Sequence, residues 1–63
     1  MPLTPTEIKI LKLCGKGYCK AEAGPRLGMS MHTVDWHTRK ITRKLRAINM
    51  THGVYKGCQS GLI

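Results

Sequence analysis

The stretch from Ser30 to Leu45 constrains the fold of this 63-residue chain more than any other feature. At 3.6 residues per helical turn, its apolar and threonine side chains share one stripe, formed by Val34, Thr38, Ile41 and Leu45. Basic and aromatic side chains gather on the opposite side, namely His32, Trp36, Arg39, Lys40, Arg43 and Arg46. The pattern predicts a helix over about residues 31–46, with one face in the core and one basic face in solvent.

The charge balance indicates a polyanionic partner. Eleven Lys and Arg against three acidic residues give a formal net charge of +8, and the cations concentrate between Arg39 and Arg46. Such a cluster of cations is typical of a helix that binds phosphates, so double-stranded DNA is the expected partner. A merely solvated charged face is the plainer interpretation. An exposed Trp36 in the middle of that face favours a binding surface instead.

Length and residue inventory exclude several other functions. A chain this short buries only about 60% of its unfolded surface, which leaves no room for an enzyme-sized pocket. Its three acids, Glu7, Glu22 and Asp35, are spread over three segments and cannot form acid–base machinery. We therefore expect no enzyme, no catalytic residue and no cofactor. No segment has spanning length and no signal-peptide pattern is present, so a cytoplasmic protein without a membrane partner is expected.

The cysteines indicate free thiols rather than a structural cross-link or a metal site. Cys14, Cys19 and Cys58 are odd in number, and the expected compartment is reducing. Their spacing matches no common zinc-finger pattern, so no metal site is expected.

Two helices are predicted before the basic helix. Thr4, Pro5 and Glu7 form a capping signal that starts the first helix at about Pro5, and the helix ends near Gly15. The second runs from about Cys19 to Leu27. Its Pro25 predicts a kink or a partly 3₁₀ geometry, unless the helix starts later.

A turn from Gly28 to Ser30 then leads into the basic helix, with a left-handed position at Gly28 and a cap at Ser30. Two helices joined this way, the second basic, form a helix-turn-helix motif. Thr51 is a candidate cap for a last helix over about residues 52–58, which its glycines weaken. Residues 1–63 are thus interpreted as one all-α, four-helix domain.

Together these segments resemble the LuxR/FixJ-type (GerE-like) DNA-binding domain over about residues 3–56. The matching segments are Leu3-Thr4-Pro5-x-Glu7, Gly17-x-x-x-x-Glu22, Arg26-Leu27-Gly28-Met29-Ser30, Thr33-Val34-x-x-His37, Ile41 with Lys44-Leu45, and Asn49-x-Thr51. The resemblance implies a four-helix domain whose third helix enters the major groove and whose fourth commonly dimerises. The chain is interpreted as this DNA-binding unit standing alone.

The resemblance also implies which residues make contacts. Base contacts would come from Asp35, Trp36 and Arg39, and backbone contacts from Thr33, Lys40 and Arg43. The dimer would form through Val54, Tyr55 and Cys58. Family members typically carry Lys or Arg in place of Asp35, whose carboxylate can accept from cytosine N4 or favour a helix N-terminus but cannot pair with phosphate. Ala23-Gly24-Pro25 is a second departure from the family pattern.

Two functions are compatible with these features. The first is a sequence-specific DNA-binding transcriptional regulator, acting as a homodimer and reading the major groove with the helix over 31–46. The alternative is a protein-interaction module that keeps the fold but binds RNA polymerase or sequesters another regulator. The basic surface favours DNA, whereas Asp35 and the glycine-weakened last helix favour the alternative.

Overall fold

A computed structural model describes residues 3–63, which form four α-helices and no strand. In chain order the helices are α1 (Pro5–Gly15), α2 (Lys20–Leu27), α3 (Met31–Leu45) and α4 (Met50–Gln59). Helix α3 packs against the other three, and α1 also packs against α2 and α4. The predicted all-α helix-turn-helix fold is confirmed. No helix within residues 3–63 combines the length and the apolar character that crossing a membrane requires.

A small core forms where the inner face of α3 meets its neighbours. Val34 and Ile41 are fully buried, and they cluster with Leu3, Ile10, Leu11 and Ala23. Thr38 lies on the same stripe and is also buried. Its hydroxyl donates to the backbone oxygen of Asp35 at 2.7 Å, so the helix itself satisfies the polar group. The stripe predicted from the 3.6-residue period is thus the face that holds the domain together.

The start of α1 is tied to the end of α3 through Glu7. The Thr4 hydroxyl accepts from the Glu7 N–H at 3.2 Å, and Glu7 Oε1 accepts from the Thr4 N–H at 2.8 Å. This reciprocal pair is the predicted capping box. The same Oε1 also accepts from Lys44 Nζ at 2.7 Å, with Glu7 only 1% exposed. Lys44, one of the cations between Arg39 and Arg46, therefore places its ammonium against α1.

Helix α2 contains both Gly24 and Pro25. It is α-helical throughout Lys20–Leu27, so no 3₁₀ turn occurs at Pro25, and a bend of the axis there stays a prediction. The carbonyl of Gly24 accepts from the Met29 N–H at 2.8 Å. A Cβ atom on Gly24 would lie 2.7 Å from the Met29 carbonyl oxygen. Glycine at this position therefore lets the turn fold back onto the helix, while Gly28 takes the left-handed conformation at φ 68°.

The last helix is longer than its sequence suggested and has a different cap. Asn49 Oδ1 accepts from the His52 N–H at 2.8 Å, so Asn49 rather than Thr51 caps α4, which continues to Gln59. Gly53 and Gly57 lie inside this helix and are buried against neighbouring parts of the chain, and the predicted weakness of the helix stays a prediction. Lys56 Nζ donates to the carbonyl of Leu45 at 3.1 Å and to that of Arg46 at 3.2 Å. These bonds join α4 to the C-terminus of α3.

Alanine substitutions at two helical glycines should have opposite effects on stability. Gly24→Ala should destabilise the domain, because about 1–3 kcal/mol of overpacking against the Met29 carbonyl exceeds the gain of about 1 kcal/mol in helix propensity. A Cβ atom on Gly53 would meet only side-chain atoms at 3.8 Å or more, so Gly53→Ala should stabilise the domain. Thermal denaturation by circular dichroism measures both. Equal melting temperatures for the two variants would contradict the close approach at Gly24.

The pair formed by Glu7 and Lys44 should make the domain sensitive to acid. Burial alone raises the pKa of Glu7, but hydrogen bonds from Lys44 and Thr4 outweigh it and lower the pKa below the ordinary value of 4.5. The pair therefore contributes its full stability above about pH 4.5, and this contribution is lost as the pH falls through the lowered pKa. Lys44→Met should cost about 3–5 kcal/mol near neutral pH by leaving a buried carboxylate unpaired.

Urea denaturation at several pH values separates this interaction from general charge effects. Wild type should lose more stability than Lys44→Met between neutral and acidic pH. Lys9→Met removes an exposed cation from α1 and serves as the matched control, with a pH dependence like that of wild type. Parallel curves for wild type and Lys44→Met would argue against the coupling.

Candidate nucleic-acid interface

The six residues expected to contact DNA all lie on α3. Four are exposed, namely Thr33, Trp36, Arg39 and Arg43, while Asp35 and Lys40 are half-buried. They occupy the side of α3 that is turned away from Val34 and Ile41, which are fully buried. The predicted separation into a core face and a basic face is therefore present in the structure.

Trp36 stands out from this face and is held by its neighbours. It is 56% exposed, and Lys40 Nζ lies 4.3 Å from the centroid of its ring. The ring of His37 meets the indole edge-on, with the centroids 5.0 Å apart. The cation–π contact brings a positive charge to one face of the indole. Trp36 and Lys40 consequently form one unit that presents an apolar surface and a cation together.

Asp35 is paired with two cations from different helices. Its Oδ1 accepts from Lys20 Nζ of α2, and its Oδ2 lies 3.1 Å from Arg39 Nε, one turn along α3. The hydrogen bond from Lys20 and the charge of Arg39 lower the pKa of Asp35, although partial burial opposes them. The carboxylate therefore stays charged, ties α2 to α3 and contacts the Arg39 side chain, which is itself 78% exposed.

The pairing of Lys20 with Asp35 was not predicted from the sequence, because Lys20 precedes α3 by a full helix and a turn. Asp35 itself was the only indication of this pairing in the sequence, because an acidic residue in the first turns of an otherwise basic helix is stabilised by a cationic partner. The structure supplies one such partner from α2 and a second from Arg39.

A basic groove of about 460 Å³ lies at the C-terminal part of α3 and is lined by Lys40, Arg43, Lys44 and Arg46. The ion pairs found within residues 3–63 involve Lys20, Arg39 and Lys44. Lys40, Arg43 and Arg46 therefore keep uncompensated charges in the groove. Three such cations around one concave surface suit a phosphate group, to which Arg and Lys donate charge-assisted hydrogen bonds.

The three residues expected at a dimer interface differ in their exposure to solvent. Tyr55 is 59% exposed and Cys58 is exposed, whereas Val54 is half-buried and packs against the core. The difference arises because Val54 lies on the side of α4 that faces α1, where it approaches Gly15. Ile48, just before α4, is 86% exposed.

Comparisons with known proteins agree with this architecture. The family model described as "Bacterial regulatory proteins, luxR family" matches residues 1–55. The chain is 31% identical over 61 residues to "Transcriptional activator protein AhyR" of Aeromonas hydrophila, and equally similar to "Transcriptional activator protein AsaR" of Aeromonas salmonicida. Each alignment covers 97% of this chain but only 24% of the relative, so the chain spans a small part of the length of these proteins.

Substitutions on the two faces of α3 should separate folding from surface chemistry. Ile41→Ala should destabilise the domain by about 2–5 kcal/mol, because it empties a fully buried position. Trp36→Ala should leave the melting temperature nearly unchanged, because the ring is more than half exposed. Fluorescence of the single tryptophan should be red-shifted and readily quenched by iodide. A blue-shifted, quencher-resistant emission would contradict the exposed position.

Proposed function

Because the chain belongs to the bacterial regulatory proteins of the luxR family, we propose that it is a sequence-specific DNA-binding transcriptional regulator that reads the major groove with α3. The observation that carries the proposal is the exposed face of α3, on which an accessible indole and uncompensated cations stand side by side. Such a surface suits base edges flanked by phosphates. As bacterial DNA lies in the cytoplasm, the protein would act there.

Arg39 and Trp36 are the residues that we propose to read bases. Because Arg39 Nε is directed at Asp35, the two terminal nitrogens of the guanidinium remain available for guanine O6 and N7. The indole of Trp36 would pack on a thymine methyl group and the neighbouring sugar. Lys40, held over the indole ring, would carry its charge to the adjacent phosphate.

For Asp35 we propose a positioning role in place of the direct base contact that the family resemblance implies. Both carboxylate oxygens already have cationic partners, so the group would repel nearby phosphates less than a lone carboxylate would. It would also hold Arg39 in one orientation and so reduce the side-chain entropy lost on binding. This role accounts for an acidic residue in the middle of a basic face.

Phosphate contacts are proposed for Thr33, Lys40, Arg43 and Arg46. Three of these line the basic groove, while Thr33 lies in the first turn of α3, where its hydroxyl shares a hydrogen bond of 3.0 Å with Ser30. Lys44 is left out because Glu7 already neutralises it. Three cations per chain would make about three phosphate contacts. A plot of the logarithm of the affinity against the logarithm of the salt concentration should then have a slope of about −2.7.

A homodimer is proposed to form through the outer surface of α4. Ile48, Tyr55 and Cys58 would meet their counterparts across a two-fold axis, and Val54 would support them from the core side. A symmetric dimer would read two half-sites spaced by about one helical turn of DNA, roughly 34–36 Å.

Fluorescence anisotropy with random duplex pools over a range of salt concentrations tests the proposal. Arg43→Gln should flatten the salt slope by about 0.9, because one phosphate contact is lost. Lys9→Gln removes a charge from α1 and should leave the slope unchanged. Asp35→Asn should steepen the salt slope because it releases the charges of Lys20 and Arg39. The sequences that this variant selects from the pool should be more varied than those selected by wild type.

Ultracentrifugation tests the dimer. The complex with a selected palindromic duplex should contain two chains per duplex.

Binding that does not depend on salt would refute the DNA-binding proposal. It would favour the alternative of a protein-interaction module directed at RNA polymerase or at another regulator. One chain on a palindromic duplex, combined with a normal salt slope, would refute only the dimer.

A further inference from the structure

A second cavity, distinct from the basic groove, is lined by four sulfur-containing side chains. Its volume is about 430 Å³. The sulfur atoms come from three helices and one cap: Cys14 of α1, Cys19 at the cap of α2, Met31 of α3 and Met50 of α4. The remaining lining residues are Tyr18, Lys20, Ala21 and Thr38, so neither carboxylate nor imidazole faces the cavity.

The donor set determines which class of ligand the cavity can hold. Thiolates and thioethers are soft ligands that select monovalent copper, whereas carboxylate, carbonyl and water ligands suit magnesium, calcium and manganese. No group of three or more His, Cys, Asp or Glu residues within residues 3–63 is arranged to hold a metal ion, so a zinc-type set is not available there. Two of the three free cysteines nevertheless line this one cavity together with two methionines.

We propose that this cavity binds one Cu(I) ion through the thiolates of Cys14 and Cys19, with the thioethers of Met31 and Met50 completing the ligand set. Binding displaces two thiol protons into solvent, and the copper remains monovalent throughout. The bis-thiolate complex carries one net negative charge. The proposal does not depend on DNA binding, because none of the four ligands belongs to the proposed reading surface.

The surroundings of the two thiols suit such a complex. A metal cation between the two sulfur atoms removes the repulsion between neighbouring thiolates. Lys20 at the cavity edge carries a charge of opposite sign to that of the complex and is also paired with Asp35.

Anaerobic titration of the reduced chain with Cu(I) bound to a chromophoric chelator tests the site. Loss of the chelator complex should report transfer of one Cu(I) per chain, and native mass spectrometry should give the same stoichiometry. Cys19→Ser should abolish the transfer. Because Cys19 is exposed, this variant should keep the circular dichroism spectrum of wild type. Met50→Leu keeps the side-chain volume and should weaken Cu(I) binding by about tenfold or more.

Cys58→Ser is the matched control, since the third free thiol is exposed on α4 and does not line the cavity. It should bind Cu(I) as wild type does. The proposal is overturned if the chain takes no Cu(I) from the chelator, or if Cys58→Ser loses as much affinity as Cys19→Ser. Equal affinity for the chain unfolded in urea would also overturn it, because binding would then need only the thiols and not the folded cavity.

Discussion

The ion pair between Glu7 and Lys44 is the interaction on which the rest of the domain depends. One carboxylate oxygen caps α1 and also accepts from the ammonium at the far end of α3. The other oxygen, Oε2, is buried and has no partner among the described side chains and backbone groups. The carboxylate therefore relies on Lys44 to remain charged in the interior. The pair therefore joins α1 to α3 beside the fully buried apolar residues of the two helices.

The positive charge of the chain is divided between structural and surface roles. Lys44 neutralises Glu7, Lys20 neutralises Asp35, and Lys56 bonds to carbonyls at the end of α3. Each of these cations holds one helix against another. The basic groove is left with the charges of Lys40, Arg43 and Arg46. The net charge of +8 is consequently larger than the uncompensated positive charge that α3 presents to a polyanion.

Local features of this fold could be predicted from the sequence, whereas long-range ones could not. The capping box at Thr4 and the exposure of Trp36 follow from residues within one or two helical turns. The partner of Lys44 lies 37 residues away and that of Asp35 lies 15 away. No periodicity encodes such pairings.

The cap of α4 was predicted wrongly because Asn49 and Thr51 are both good caps and lie two residues apart. The close approach at Gly24 could not be predicted because it depends on how the following turn folds back. The contact residues on α3 rested on family resemblance, and their roles remain predictions.

The two hydrogen bonds from Lys56 to the end of α3 have a mechanical consequence. They tie α4 to the C-terminus of α3, so a partner seated on the outer surface of α4 would act on α3 at that end. A helix of 15 residues is roughly 22 Å long at about 1.5 Å per residue. Tilting it by about 10° at the held end would swing its first turn through about 4 Å, more than the length of a hydrogen bond. Because Val34 in that first turn is fully buried and Asp35 is paired with Lys20, α2 would have to move together with the first turn of α3.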